Sequence, residues 1–423
     1  MVPEDFCVEE VPLYLPTGQG EHTLFYIEKR GISTAAAIRR LASALGIPAG
    51  RFSSAGLKDA EAVARQTLSV QGVAPERLRN LGLDGVKVLW ADRHRNRLKI
   101  GHLAANRFQI RIRDVTPDAL PQAEAIVQEL VRMGKCVEDA RDGGSSGCVE
   151  VGAFGKEAFI LAGYFNIPKM LELALHNGVD PRTGRQLGPR TGDPASFATF
   201  EELFAAFLAQ MRYFVEIKVR GNSVIERLYA TYMPAPFLST LIDDCIAKGR
   251  DYHDGGPRYD TTYIQGVGIG TITDALSAIN HHVFVQRDLG MAELLAALDA
   301  DFAGHERVRQ LLLNRTPRYG NDDDAADSIM VRVFNAFFDL IDGRKNTRGG
   351  TYHLNMLPTT CHVYFGSVIG ATPDGRKAHT PLSEGISPVQ GADRHGPTAV
   401  IKSAAKMDHA RTGGTLLNQK FTP

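Results

Sequence analysis

Between Pro117 and Gly134 this sequence changes its periodicity, and it does so without a linker. Residues 1–115 alternate short strand-like runs with one clear helix, a pattern closer to α+β than to a repeating βαβ series. From Gly134 onward helices dominate, separated by glycine-rich loops rather than by strands. No internal repeat or low-complexity stretch lies between the two regimes. Two kinds of architecture must therefore be built back to back, and we place their boundary between residues 133 and 134.

The local signals are clear on both sides. Ser33 or Thr34 can cap a helix in which Ile38, Leu41 and Leu45 share a face before Gly46 stops it. Leu120–Met133 reads as one helix. Thr199 with Glu202 suggests a capping box, Pro168 and Pro236 suit first-turn positions, and Gly178, Gly249 and Gly343 suit stops. In Arg107–Arg113, Phe108, Ile110 and Ile112 alternate with Gln109, Arg111 and Arg113, which gives a strand one apolar and one basic face.

With 423 residues, 43% of them hydrophobic, the chain can build real cores. Forty-eight basic side chains balance 48 acidic ones, so any attraction for nucleic acid must be local. One such region exists: Lys87, Arg93, Arg95, Arg97, Lys99, Arg107, Arg111 and Arg113 are opposed within 87–113 only by Asp92. The five cysteines form no CxxC pair, which argues against a disulfide framework or zinc site and for a reducing cytoplasm; no metal is expected. No uninterrupted apolar run approaches the roughly 20 residues of a membrane span, so no membrane partner is expected.

The segment Ala55-Gly56-Leu57-Lys58-Asp59 sets a carboxylate just past a glycine turn and beside cationic groups. By itself, an aspartate there is most often a cap or turn residue. Its surroundings widen the choice. Pro3-Glu4-Asp5-Phe6 with Val8-Glu9-Glu10, then Gly20-Glu21-His22-Thr23, Glu28-Lys29-Arg30-Gly31, the Asp59 segment, and Gly101-His102-Leu103 with Asn106-Arg107-Phe108 together resemble the ordered motifs of TruD-type tRNA pseudouridine synthases. The resemblance implies that Asp59 is the catalytic carboxylate of uridine isomerisation, a nucleophile able to form and release a covalent adduct. It also implies that Phe6 and Phe108 line the uridine pocket, unless they are core side chains. Lys58, Asn106, Arg111 and Arg113 would then contact RNA, and 87–113 would bind tRNA phosphates. The resemblance ends near residue 133, before the rest of that family's sheet.

Further on, Gly143-Gly144-Ser145-Ser146-Gly147-Cys148-Val149-Glu150 places a thiol in a small-residue loop with a carboxylate two residues away. A lone cysteine near glycine is usually inert, and no histidine stands nearby to make a thiolate. Hydrogen-atom abstraction instead asks for a shielded neutral thiol beside a carboxylate. Glu138-Asp139-Ala140-Arg141, Gly155-Lys156-Glu157-Ala158, Pro234–Leu238, Gly249–Tyr263, Gly266–Asp274, Thr372–Lys377, Ser383–Pro388 and Lys402–Lys406 resemble the dehydratase branch of glycyl-radical enzymes, the pyruvate formate-lyase-like group. Gly266, Gly268 and Gly270 lack the spacing of a dinucleotide fingerprint and read as a close-packed turn.

By resemblance, Cys148 carries the transient thiyl radical and Glu150 is the base during loss of water, with glycerol-type and hydroxyproline-type dehydratases nearest in wording. The expected fold is α/β and α+β: an incomplete pseudouridine-synthase mixed sheet over 1–133, then a helix-rich, partial ten-stranded β/α barrel of the glycyl-radical type over 134–423. No cofactor is expected to be bound. The family's radical glycine loop is not expected within these residues, so that the radical would come from outside, through a radical S-adenosylmethionine activase and a chain supplying the loop and the other barrel half. The expectation is a joined pair of fragments that is inactive as it stands, with RNA binding and uridine isomerisation at Asp59 as the alternative.

Overall fold

The structure, a computed structural model, describes residues 2–111, 113, 121, 124, 128, 131, 135–137, 139, 144–146 and 150–419. It divides into two compact units, 1–120 and 121–423. Most of Leu120–Met133, expected as one helix, lies outside the described residues.

The first unit is a six-stranded sheet of β1 (Phe6–Pro12), β2 (His22–Arg30), β3 (Phe52–Ser54), β4 (Val63–Gln71), β5 (Val86–His94) and β6 (Leu103–Ile110). Its order is β5-β2-β4-β1-β6, with β3 paired to β4. Only β1 and β4 run parallel in it; β2, β5 and β6 are antiparallel to their neighbours. Helix α1 (Thr34–Leu45) starts where expected, Ser33 Oγ accepting from the Ala36 amide at 3.2 Å, and ends on Gly46 in the left-handed region. Its Ala37, Leu41 and Leu45 close over Phe25, Ile27, Leu68 and Val70, with α2 (Pro75–Arg79) adding Leu78.

β6 departs from expectation. Its Phe108 and Ile110 share a face as the alternation requires, yet they are 55% and 59% exposed. The strand pairs with β1 on one edge and with nothing described on the other, and from Ala104 to Ile110 every residue is exposed, so its apolar face is no more covered than its basic one. Ile112 lies outside the described residues.

The second unit corrects the expectation of helices without strands. β7 (Gly144–Ser146) and β8 (Glu150–Gly152) form an antiparallel pair, and β9 (Glu157–Asn166), β12 (Tyr259–Val267) and β13 (Thr351–Asn355) form a parallel sheet ordered β13-β12-β9. A two-residue ribbon, β10 (Val179–Asp180) with β11 (Arg185–Gln186), lies between. Of the parallel strands only β9 carries apolar residues at successive positions, Ala158 to Ala162; β12 buries Thr261, Thr262 and Gln265 among its apolar residues, and β13 is only five residues long.

Helices α3 (Ile167–Leu175), α4 (Phe200–Tyr232), α5 (Ile269–Ala278) and α6 (Asp324–Ile341) pack on one face of this sheet, burying Phe165, Ile264 and Leu354 against Phe207 and Phe337. The capping box is present: the Glu202 amide donates to Thr199 Oγ1 at 3.3 Å and the Thr199 amide to Glu202 Oε2 at 3.4 Å. The β12–α5 turn is close-packed as expected. Gly268 has φ of 86°, and a Cβ on Gly266 would stand 2.7 Å from Met356 Sδ. Among the described residues no helix is long and apolar enough to cross a membrane.

Candidate functional site

Asp59 stands exposed in the loop between β3 and β4, and buried groups fix the backbone beneath it. The Lys58 amide donates to Thr34 Oγ1 at 2.9 Å, while Lys58 Nζ pairs with Glu10 Oε2 at 2.8 Å, both side chains almost wholly buried. Glu10 Oε1 accepts from the Thr67 amide at 3.0 Å, tying this pair to the sheet centre. Lys29, with no exposed surface, donates to the Ile32 carbonyl at 2.8 Å and to the carbonyl of Asp59 itself. Burial pushes the Lys29 ammonium down to about 8, against the pull of the Asp59 charge.

Four of the five sequence blocks thus meet here. Glu10 is register-paired with Asn106, Lys29 holds Asp59, and the Gly101 amide donates to the Ala55 carbonyl at 2.8 Å. The Phe6 and Phe108 rings stand 5.9 Å apart at 52°, and Phe108 is a surface ring rather than a core one. Asn106 and Arg111 are exposed. Lys58 and Arg113 are engaged within the protein, Lys58 with Glu10 and Arg113 Nε with buried Asp5 at 2.8 Å. The exposed cations of 87–113 are Lys87, Arg95, Arg97, Lys99, Arg107, Arg111 and, although it pairs with Asp5, Arg113.

In the second unit Cys148 lies outside the described residues, and of Glu150 only the backbone is described. That backbone sits in β8 opposite Ser146 of β7, so the strand pair brackets residues 147–149. Elsewhere in this unit Asp139 accepts hydrogen bonds from Lys156, from Tyr259 at 2.6 Å and from Arg258 at 3.3 Å. These donors, Lys156 foremost, hold its carboxyl far below the usual carboxylate range. Glu157 pairs with buried Lys135 at 3.1 Å and accepts from the Ala153 amide at 3.0 Å. Three separated motifs therefore supply one group of charges about the buried carboxylates of Asp139 and Glu157, and Glu157 holds the backbone just past β8. Among the described residues no group of three His, Cys, Asp or Glu side chains could hold a metal ion.

The sequence alone did not single out Lys29, Glu10 or Asp139. For Lys29 a signal existed: it continues the inward positions of Phe25 and Ile27 along β2, where a lysine needs a buried partner.

Comparison with known proteins follows this division. Residues 1–139 match the family model "tRNA pseudouridine synthase D (TruD)", residues 112–366 match "Pyruvate formate lyase-like", and residues 382–423 match "Glycine radical". The trans-4-hydroxy-L-proline dehydratase of Clostridioides difficile is 59% identical over 305 residues, 72% of this chain and 39% of that protein. The tRNA pseudouridine synthase D of Geobacter sulfurreducens is 53% identical over 132 residues, 31% of this chain and 32% of that protein. Among solved structures, the C. difficile hydroxyproline dehydratase with trans-4-hydroxy-L-proline bound has a TM-score of 0.69 over 70% of this chain and 38% of its own. The glycerol-bound B12-independent glycerol dehydratase of Clostridium butyricum, 38% identical, has a TM-score of 0.67 over 70% of this chain and 38% of its own. The chain thus spans about two fifths of the length of the dehydratases it matches.

Proposed function

This chain belongs to the pyruvate formate lyase-like family, carries a TruD-type segment ahead of it, and from that premise we propose a dehydratase-derived segment that is catalytically silent by itself. The substrate class is a small hydroxylated molecule that loses water, in keeping with the relative that shares 59% identity. In this reading Cys148 exchanges a hydrogen atom with the substrate carbon, and Glu150 moves the proton that accompanies departure of water. Residues 382–423 match a glycine-radical domain, whose radical is put in place by an activating enzyme. We set the join at 133/134, inside the stretch 112–139 that both family models cover.

The observation that carries the silence is the parallel sheet. It has three strands, and β9 pairs with β12 alone among the described residues, so the wall that would shield a thiol from water is open along one side. Anaerobic treatment of the chain with an activase and S-adenosylmethionine should give no spin-resonance doublet and no turnover of trans-4-hydroxy-L-proline. Co-expression with the remaining part of a C. difficile-type dehydratase should restore turnover, and Cys148→Ser should remove it again. A doublet or product from the chain alone would overturn the silence.

A second reading is favoured by the convergence of four sequence blocks on Asp59: tRNA contact through 87–113 and uridine isomerisation by the carboxylate. Pseudouridine formed in tRNA by the purified chain and lost in Asp59→Asn would establish it.

A further inference from the structure

Ile264 and Leu354 point into the helix-covered core, so their neighbours Gln265 and Asn355 face the other side of the parallel sheet. The ring centroids of Tyr263 and His353, 6.3 Å apart, confirm which residues share that face. Gln265 and Asn355 are register partners at the carboxyl ends of β12 and β13, and both are buried, at 2% and 1% exposure. Among the described residues Asn355 Nδ2 and Oδ1 and Gln265 Oε1 have no hydrogen-bond partner, whereas nearby His353 is held by Asp342 at 2.7 Å and Thr351 at 2.9 Å.

Two further facts separate this pair from ordinary packing. Val267, one step along the same face, is covered by the apolar side chains of Ile369 and Leu382, so the amides lie beside a dry cluster in which a hydrogen bond is strong and an unmade one is costly. The carboxyl ends of parallel strands are also where α/β sheets present ligands.

We infer that Gln265 and Asn355 are a specificity-determining pair whose adjacent carboxamides hydrogen-bond the polar groups of the substrate. Each amide offers a donor and an acceptor, so together they can accept from a hydroxyl or ammonium and donate to a carboxylate or hydroxyl oxygen. A hydroxylated amino acid or a short polyol has that combination. The inference rests on the dehydratase reading for its ligand class, but the two fail separately.

The test uses the full chain with trans-4-hydroxy-L-proline and glycerol, each at millimolar concentration, read by thermal shift and by titration calorimetry. Wild type should be stabilised by at least one of them. Asn355→Leu and Gln265→Met should fold with an unchanged or higher Tm and bind it about tenfold more weakly or worse. Three results overturn the inference: variants that respond like wild type, variants that melt earlier because the amides serve an internal polar network, or a wild-type chain that responds to neither compound. In the co-expression assay, Cys148-dependent turnover with KM unchanged by Asn355→Leu would sink the pair and leave the dehydratase reading standing. Binding lost in Asn355→Leu without any turnover in that assay would do the reverse.

Discussion

Lys29 is a cation kept where water does not reach, and its ionisation links the Asp59 loop to pH. Its folded pKa, about 8, lies below the ordinary 10.5, so the unfolded chain binds more protons between those values. Stability of the first unit should therefore rise as pH goes from 8 to 10.5 and flatten beyond. Trp90, the only tryptophan, stacks on Tyr26 within this unit at 5.6 Å and reports its unfolding by fluorescence. Lys29→Met should abolish the rise. Asp274 gives the opposite slope. Burial lifts its carboxyl to about 7 despite Arg318 at 3.2 Å, so its contribution is complete below pH 3.8 and is lost as pH climbs to 7. Asp274→Asn should flatten that fall in chemical-denaturation curves followed by circular dichroism. Asp274 is not conspicuous in sequence and Lys29 is so only by its inward position on β2, because what shifts each is a partner or a burial that only the folded chain brings. Lys29 holds a carbonyl 30 positions away and Asp274 faces an arginine 44 positions away.

At the scale of elements, the most legible features were those written within a few residues of one another. Ser33, Gly46 and the Thr199–Glu202 box read correctly because a cap is a local contract between a side chain and the next turn. Thr199→Ala should cost about 1 kcal/mol in a denaturant titration. The parallel strands were not legible, since β9 runs Ala158-Phe159-Ile160-Leu161-Ala162 without alternation, β12 sets Thr261, Thr262 and Gln265 at buried positions, and β13 alternates over only five residues. β6 shows the complementary limit. Alternation told which residues share a face but not whether anything lies over it, and Phe108 and Ile110 prove to be on the surface. Ile110→Lys should accordingly change stability by no more than about 0.5 kcal/mol while raising the concentration at which the chain stays monodisperse in light scattering. The candidate sites were legible to the same degree. Asp59 could be named from its own segment, but the Glu10–Lys58 pair beneath it joins β1 to the loop before β4 and needed the sheet to become visible.

For the whole molecule, the two units have separate cores with no residue in common, one around Phe25 and Leu41, the other around Phe207 and Phe337. Calorimetry of the intact chain should resolve two transitions, only one of them matched by the fluorescence of Trp90. A single transition seen by both probes would show that the cores unfold together.

A strand with a bare flank also governs how the protein behaves in numbers. Lys218 Nζ donates to the Ala162 carbonyl of β9 at 2.8 Å and the Phe159 amide donates to the Tyr252 hydroxyl at 2.9 Å, two plugs in a row of ten residues. Next to that row the outward side of α4 shows Val224, Ile225, Leu228 and Tyr232, each at least 49% exposed. Contacts made through such a rim need not close on themselves, so particle size would keep growing with concentration instead of halting at a pair.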